Sequence, residues 1–242
     1  MFSNEIAKFV EQKKYPTFRP KAIFFDMDGV LFDSMKFHAY AWVESMKQYG
    51  IEFSEYEAYM NEGQTGFSTI DKTFVRVHGR NATQEEIKAI YKCKSEFFDT
   101  CGKADPMPYA LELLNKVKAL GVQIFVVTGS GQPSLLNGLE ERFPNIFQKD
   151  KMVTAYDVKH GKPHPEPYLI ALEKSGVAPW EAMVIENAPL GVESGVAAGL
   201  FTVAVNTGPL DPAVLSDNGA HIVLDSVQEL FEKWDDFLSN WL

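Results

Sequence analysis

Cysteine and long apolar runs are scarce in this sequence of 242 residues. The two cysteines, Cys93 and Cys101, fit no metal-ligand spacing and are typical of ordinary thiols in a reducing compartment. No apolar run reaches membrane-spanning length, and the polar start MFSNEIAKFVEQKKYP lacks the apolar region of a signal peptide. We therefore expect a cytoplasmic protein with no membrane partner.

Clusters of Lys and Arg are also missing. The chain carries 23 basic and 33 acidic residues, a net charge of −10, which argues against a nucleic-acid partner because polyanion binding needs clustered cations. A small anionic substrate stays compatible with this charge, since a bound metal ion can reverse the local field. With 45% hydrophobic residues and a mean hydropathy of −0.16, the chain can bury one large core beside a smaller second module.

Short apolar runs alternate with longer segments of helical periodicity from about Lys21 onward. The predicted strands are 22–25, 122–127, 152–155, 182–186, 202–206 and 221–224. These runs are continuously apolar, as expected of strands that are buried on both faces. Strand–helix alternation predicts an α/β fold with a doubly wound, Rossmann-like parallel sheet. Ligands of such sheets bind outside the carboxyl ends of the strands.

One long segment, between the first two strands, contains several helical patterns and no convincing strand. Within it, Thr83 opens a helix with TQEE, a capping box. Because the segment leaves and rejoins the sheet near one edge, we predict an inserted all-helical cap over the strand ends. Residues 226–242 are predicted to form a closing amphipathic helix. The predicted division is an N-terminal helical arm (1–19), a catalytic core (20–35 and 104–242) and the cap (36–103).

An acidic pair follows the first predicted strand, in FFDMDGVLFDS. Asp26 stands at the strand terminus and Asp28 two residues further on, while Gly29 lets the backbone turn away. Two carboxylates this close repel each other, so they need a cation or must share a proton. An Asx-rich turn after a strand explains the same residues equally well. The pair alone leaves both interpretations open.

Polar residues also follow the strand VQIFVV and precede a later helix. Thr128, Gly129 and Ser130 offer hydroxyl and backbone N–H groups that suit phosphoryl oxygens, although Thr and Ser are also common N-caps. Lys162, in HGKPHPEPY, is either a positioned positive charge or a solvated surface lysine.

Glu186 and Asn187 end a fourth apolar strand, in VIENAPLGVESGVAAG. An acid there is costly unless it is paired or binds a metal.

These polar residues form four groups: the acidic pair, the residues after VQIFVV, Lys162, and the pair Glu186 and Asn187. Each group falls at a strand or helix entrance, so they converge on one crevice. With DxDGV, TGS, GKPxP and ENxxLG in this order, the sequence resembles the haloacid dehalogenase superfamily, and within it the β-phosphoglucomutase-like phosphatases with a helical cap. The resemblance covers nearly the whole chain from Lys21.

The resemblance implies a two-step phosphoryl transfer. Asp26 is the nucleophile and becomes an aspartyl phosphate, while Asp28 protonates the leaving group and then deprotonates the incoming water or alcohol. The implied cofactor is Mg²⁺, bound by Asp26, the backbone carbonyl of Asp28 and Asn187, with Glu186 reached directly or through water.

Two more residues complete the implied catalytic set. Thr128 and Lys162 neutralise the charge on the equatorial phosphoryl oxygens. Dehalogenation is disfavoured, because relatives with that activity lack an acid at the position of Asp28.

The cap loop NEGQTG departs from the mutase pattern. Mutases carry basic residues there to hold the far phosphate of a bisphosphate, and a Lys just after the strand-end serine, where this chain has Gly131 and Gln132. In the resembled family the fourth motif usually ends in two acids, and here the second of them is Asn187, so the site has one negative charge fewer. Glu62 then either pairs with a Lys or Arg of the cap and faces solvent, or reaches the Mg²⁺ shell and restores that charge.

His38 on the first cap helix, together with Trp42, matches the mutase pattern, although both residues can equally serve packing at the cap hinge. The predicted substrate-contacting residues are His38, Glu62, Gly63, Gln64, Thr65, Gly129 and Ser130.

Three functions remain to be separated. The first is a small-molecule phosphohydrolase that acts on a phosphate ester or a compact anhydride such as pyrophosphate. The second is a β-phosphoglucomutase or a similar sugar-phosphate mutase, and the third a catalytically silent binding protein. The intact acidic pair, Thr128 and Lys162 argue against the silent protein. The expected partner is a small phosphorylated substrate, and the family resemblance implies a monomer.

Overall fold

Six parallel strands form one sheet in the structure, a computed structural model that describes residues 2–131 and 133–241. They are β1 (Ala22–Phe25), β2 (Gln123–Val127), β3 (Met152–Val153), β4 (Ala182–Glu186), β5 (Phe201–Val205) and β6 (Ile222–Leu224). The order across the sheet is β3-β2-β1-β4-β5-β6, with parallel pairing throughout. The predicted doubly wound α/β fold is confirmed.

The third strand is shorter than the predicted 152–155. The Thr154 backbone N–H and hydroxyl donate to Asp157 Oδ2, both at 2.8 Å, so the chain leaves the ladder for a turn after Val153. The apolar run predicted a strand over 152–155, but the hydrogen bonds from Thr154 to the Asp157 side chain end the strand after Val153.

The two faces of the sheet are both apolar. Along β1, Ile23 and Phe25 enter one buried cluster, while Ala22 and Phe24 enter another on the opposite face. All four are fully buried, and burying a phenylalanine side chain contributes roughly 1.5–3 kcal/mol. This two-sided burial is why the strand reads as a continuous apolar run.

Helices cover both faces of the sheet and its carboxyl edge. In the described residues they are α1 (Phe2–Lys13), α2 (Met35–Gln48), α3 (Glu55–Met60), α4 (Gly66–His78), α5 (Gln84–Thr100), α6 (Ala110–Ala119), α7 (Pro133–Arg142), α8 (Glu166–Ser175), α9 (Pro189–Ala197), α10 (Pro212–Asp217), α11 (Val227–Glu232) and α12 (Trp234–Ser239). The predicted N-terminal helix docks through Phe2, Ile6 and Phe9 into the main core.

The closing segment differs from its prediction. In place of one helix over 226–242, α11 and α12 meet at Lys233, whose ψ of 1° lies outside the helical range. Asp235 and Asp236 occupy the first turn of α12, where acids favour a new helix N-terminus. Leu242 lies outside the described residues.

Helices α2–α5 occupy the segment predicted as the cap and have their own apolar cluster, which includes Trp42, Ile70 and Ile90. The predicted capping box is present, because Thr83 and Glu86 satisfy each other's backbone N–H groups. We use the term cap for α2–α5. The cap therefore has a core that is separate from the sheet.

The two cysteines and the shortage of long apolar runs can be checked in the structure. Cys93 and Cys101 are both free thiols. Among the described helices, none is long and apolar enough to cross a membrane.

Candidate active site

The acidic pair lies where β1 ends beneath the cap. The Asp26 backbone N–H donates to Ile185 O at 2.9 Å, which ties the end of β1 to β4. Asp26 and Asp28 are 2% and 6% exposed, so these carboxyl groups are not part of a solvated turn. Gly29 has φ +84°, and a Cβ there would lie 2.1 Å from Asn187 Nδ2. The turn therefore needs glycine to keep Asn187 beside the pair.

Lys162 is buried behind Asp26, which contradicts the surface-lysine interpretation. Its Nζ donates to Asp26 Oδ1 at 2.5 Å, to Glu186 Oε1 at 2.6 Å and to Val127 O at 3.0 Å. An ammonium group has three N–H donors, so all of them are used. Lys162 thus contacts the predicted nucleophile, and its predicted role in neutralising the charge of the phosphoryl oxygens stays a prediction.

Glu186 holds that lysine in place. Its Oε1 accepts from Lys162 Nζ at 2.6 Å and from the Tyr168 hydroxyl at 2.7 Å. Its Oε2 accepts the backbone N–H groups of Asn187 at 3.0 Å and Ala188 at 3.3 Å. A carboxylate has about four acceptor positions, and these contacts fill them. Glu186 therefore positions Lys162, and its predicted contact with Mg²⁺, direct or through water, stays a prediction.

Asp28 is held by donors from the first cap helix and the turn before it. Its Oδ1 accepts the Ser34 hydroxyl at 2.6 Å and lies 2.9 Å from His38 Nε2, while His38 Nδ1 lies 2.8 Å from Lys94 Nζ. Burial raises the pKa of Asp28, but His38 and Ser34 outweigh it and the pKa is lowered. His38 therefore contacts the predicted acid, beyond mere hinge packing.

Lys94 is a site residue that the sequence reasoning missed. It is 3% exposed, its Nζ lies 5.0 Å over the ring of Phe98, and burial lowers its pKa to about 7. A signal was present, because Ile87, Ile90, Lys94 and Phe98 recur at helical spacing on the buried face of α5. A lysine in an apolar stripe is an unusual residue to bury without a role.

The strand-end residues after β2 face the same space. The Thr128 hydroxyl donates to Asp28 Oδ2 at 3.5 Å and accepts the Ser130 backbone N–H at 2.9 Å. Thr128, Gly129 and Ser130 line the cavity beneath the cap. The structure thus brings this predicted group beside the acidic pair. Gln132 lies outside the described residues.

The cap loop closes the cavity from above. Glu62 is 9% exposed and accepts from Asn187 Nδ2 at 3.2 and 3.3 Å, so the solvent-facing alternative is wrong. Gly63 and Gln64 also line the cavity. Thr65 does not line the cavity, and it caps α4 by accepting the Ser68 backbone N–H at 3.3 Å, so its predicted contact with substrate stays a prediction.

The space between the acidic pair and the cap loop is small. Its volume is about 60 Å³, bounded below by Asp26, Asp28 and Thr128 and above by Glu62 and Tyr91. Pockets for drug-sized ligands measure roughly 300–1,000 Å³. With the cap loop in this position, the cavity is smaller than such pockets.

Negative charge exceeds positive charge around Asp26. Burial, followed by the charges of Glu186 and Asp28, raises the pKa of Asp26 to about 8 although Lys162 opposes the rise. Burial, followed by the charges of Asp26, Asp28 and Glu186, holds the pKa of Glu62 well above its usual range. The pKa of Lys162 is raised in turn, because Asp26 and Glu186 outweigh its burial. This excess of carboxyl groups favours the binding of a cation in addition to Lys162.

The donor set fits Mg²⁺. Asn187 Oδ1 is buried without a hydrogen-bond partner among the described residues, which leaves an amide oxygen free beside the carboxyl groups. No three His, Cys, Asp or Glu side chains in the described ranges form a metal cluster by themselves. Mg²⁺ commonly takes one or two carboxylates and completes its shell with water, so Asp26, Glu62, Asn187 and the Asp28 carbonyl would be its candidate ligands.

Comparison with known proteins identifies relatives with phosphatase names. The chain is 31% identical to hexitol phosphatase A of Escherichia coli over 88% of this chain and 94% of that protein. It is 27% identical to 2-deoxyglucose-6-phosphate phosphatase 2 of Saccharomyces cerevisiae over 88% and 91% of the two chains.

A solved structure from Bacteroides vulgatus, provisionally described as a β-phosphoglucomutase, is also similar. Its TM-score is 0.96 at 53% identity, with 99% of this chain and 97% of that chain covered. Residues 20–199 match the haloacid dehalogenase-like hydrolase family, and this range contains both acids of the pair, Lys162 and Asn187. The chain is therefore an enzyme that belongs to the haloacid dehalogenase-like hydrolase family.

Proposed function

We propose that this enzyme is a Mg²⁺-dependent phosphohydrolase that works through an aspartyl phosphate on Asp26. The observation that carries the proposal is the pairing of Asp26 and Asp28 at one small cavity, with Lys162 bonded to Asp26 from behind at 2.5 Å. Lys162 compensates the charge of the nucleophile and fixes which of its oxygens faces the cavity. The substrate is a compact phosphate ester or an anhydride such as pyrophosphate.

The reaction uses the two acids in sequence. An Asp26 oxygen attacks phosphorus and the bond to the leaving oxygen breaks, while Asp28 gives that oxygen its proton. Asp28 then takes a proton from water, which attacks the aspartyl phosphate and releases phosphate from Asp26. Bound Mg²⁺ supplies positive charge for the phosphoryl oxygens. The Thr128 hydroxyl and the backbone N–H of Gly129 orient those oxygens.

A β-phosphoglucomutase is the alternative, because the similar Bacteroides vulgatus structure carries that description. A mutase must hold a second phosphate away from Asp26. Within the described part of the chain, Lys94 is the cation that lines the cavity, and its Nζ is 2.8 Å from His38 Nδ1. Glu62 lies in the cap loop where mutases carry basic residues, so this loop offers no cation to hold the far phosphate of a sugar bisphosphate, and hydrolysis is favoured.

A substrate panel tests the proposed function. With Mg²⁺, we expect phosphate release from pyrophosphate with kcat/KM at least ~10-fold above that for glucose 6-phosphate, since the closed cavity discriminates by size. Chelation of Mg²⁺ should stop turnover. The measurement is colorimetric phosphate release, with a parallel assay for glucose 6-phosphate formed from β-glucose 1-phosphate. Efficient conversion of the latter would establish the mutase instead.

Glu62 provides a test of the metal site that does not depend on turnover. Mg²⁺ should raise the melting temperature of the wild type, because a ligand of the folded state stabilises it by mass action. In Glu62→Gln we expect the Mg²⁺ concentration that gives half of this shift to rise roughly 10–100-fold, the usual effect of a lost ligand or supporting group.

The matched control is Glu55→Gln, an exposed acid on the same cap segment, which should melt like the wild type at every Mg²⁺ concentration. Adding Asn187→Asp to Glu62→Gln returns one carboxylate and should recover part of the Mg²⁺ response. An unchanged Mg²⁺ response in Glu62→Gln would remove Glu62 from the proposed metal site.

A further inference from the structure

The cap loop lies directly on the backbone of the core at Gly129. A Cβ built on Gly129 would lie 2.2 Å from Gly63 O and 2.9 Å from Gln64 O. Real Cβ atoms essentially never approach other atoms this closely. The obstructing atoms belong to the backbone of the loop, so no rotamer change relieves the contact, and the two backbone segments must move apart.

A second glycine makes the same kind of contact. A Cβ on Gly161 would meet Thr65 Cγ2 at 2.8 Å and Thr65 N at 3.0 Å. From the loop side, Gly63 has φ +87°, and a Cβ there would lie 3.1 Å from Lys162 Cδ. We call Gly129 and Gly161 the glycine seat. The loop that carries Glu62 therefore rests on the core at two glycines, through its own backbone at Gly129 and through Thr65 at Gly161.

We propose that the glycine seat determines how far the cap descends and thereby restricts the enzyme to substrates of about the size of pyrophosphate. The inference rests on the proposed phosphohydrolase function and assigns Gly129 as a specificity-determining residue. Glu62 lies one residue from the contact and 3.2 Å from Asn187 Nδ2. A displacement of the loop by about one methyl group breaks this contact and enlarges the 60 Å³ cavity.

The consequence differs between substrates. Pyrophosphate depends on the closed loop. A compact anion contacts the cap side of the cavity, at Glu62 and Tyr91, and the core side, at Asp26, Asp28 and Thr128, together only when the cap loop rests on the core. A hexose phosphate is larger than the closed cavity and gains room when the loop rises. The relatives named for sugar phosphates provide suitable probe molecules of this second class.

The experiment compares Gly129→Ala with Gly138→Ala. Gly138 lies in α7, where a Cβ would make ordinary contacts with Phe32 Cζ and Cε1 at 3.6 and 3.9 Å. For Gly129→Ala we expect the ratio of kcat/KM for pyrophosphate to that for glucose 6-phosphate to fall at least ~10-fold. Gly138→Ala should keep the wild-type ratio.

Hydrogen exchange of the backbone amides in residues 62–66 reports the position of the loop without turnover. We expect exchange on the order of 10-fold faster in Gly129→Ala than in the wild type and Gly138→Ala. Gly161→Ala should change exchange in the same direction, and it serves as the second variant if Gly129→Ala does not fold.

The outcomes separate this inference from the proposed function. If the wild type releases phosphate from no member of the panel, the proposed function fails. If the wild type is active and the folded glycine-seat variants keep both the substrate ratio and the exchange rates, the seat does not control closure. A uniform loss on both substrates, without faster exchange, also overturns the inference.

Discussion

Asp26→Asn should abolish turnover while the protein stays folded. Only a carboxylate can form the acyl phosphate, and the replacement amide also weakens the attraction for a cation. We expect phosphate release to fall roughly 10⁴-fold or more, as when a covalent nucleophile is removed. The fold should survive, because Lys162 keeps its contacts with Glu186 at 2.6 Å and Val127 O at 3.0 Å.

The variant also removes one carboxyl group from a crowded, buried site. Asp28 and Glu186 contribute to raising the pKa of Asp26, so a neutral amide at this position relieves part of that repulsion. We expect a melting temperature within roughly 4 °C of the wild type or above it, equivalent to about 1 kcal/mol for a chain of this size.

The measurement pairs phosphate release with covalent trapping. Mass spectrometry should detect a beryllium fluoride adduct or a phosphoenzyme on the wild type and on Asp33→Asn, but not on Asp26→Asn. Asp33 is a suitable control, because it follows the same strand and its side chain is 46% exposed in a surface pair with Lys36. Substantial phosphate release by Asp26→Asn would contradict covalent catalysis by Asp26.

The sheet and the meeting of the site residues could be predicted from the sequence. Strands buried on both faces leave continuous apolar runs, and parallel strands bring their carboxyl ends to one edge. Asp26 and Thr128 directly follow two such strands and Glu186 is the last residue of a third, so their proximity required no knowledge of side-chain contacts. The short β3 escaped prediction because the Thr154 to Asp157 bond competes locally with the ladder.

The partners within the site could not be predicted. Lys162 and Asp26 are 136 residues apart, and their contact depends on how α8 packs against the sheet. The same holds for Tyr168, whose hydroxyl donates to Glu186 and whose ring lies 5.1 Å from Lys162 Nζ. Sequence spacing predicts which strand end carries a side chain, but not which oxygen it reaches.

The cap loop shows the same limit. From sequence, Glu62 needed a positive partner, either a cap cation or the metal shell. The structure adds a third group, the Asn187 amide, which donates to both Glu62 oxygens. Nearness of the loop to the core depends on glycines at 129 and 161, whose importance appears only when both segments are seen together.

Asp28→Asn should separate the two halves of the reaction. Without its proton donor, expulsion of a poor alkoxide leaving group should slow roughly 10²–10⁴-fold, the usual contribution of general acid catalysis. An aryl phosphate such as p-nitrophenyl phosphate needs little protonation, so its first step should be affected much less. The replacement amide keeps an oxygen that can accept the Ser34 hydroxyl, which bonds Asp28 Oδ1 at 2.6 Å, so the turn is preserved.

The second half of the reaction depends on the same residue acting as base. With p-nitrophenyl phosphate, Asp28→Asn should release about one equivalent of nitrophenol per enzyme in a rapid burst and then turn over slowly, because the aspartyl phosphate waits for an activated water. Rapid-mixing absorbance measures the burst, and Asp33→Asn again serves as the control. Equal losses on glycerol phosphate and the aryl ester, with no burst, would mean that Asp28 acts only on the binding of substrate or metal and is not the proton donor.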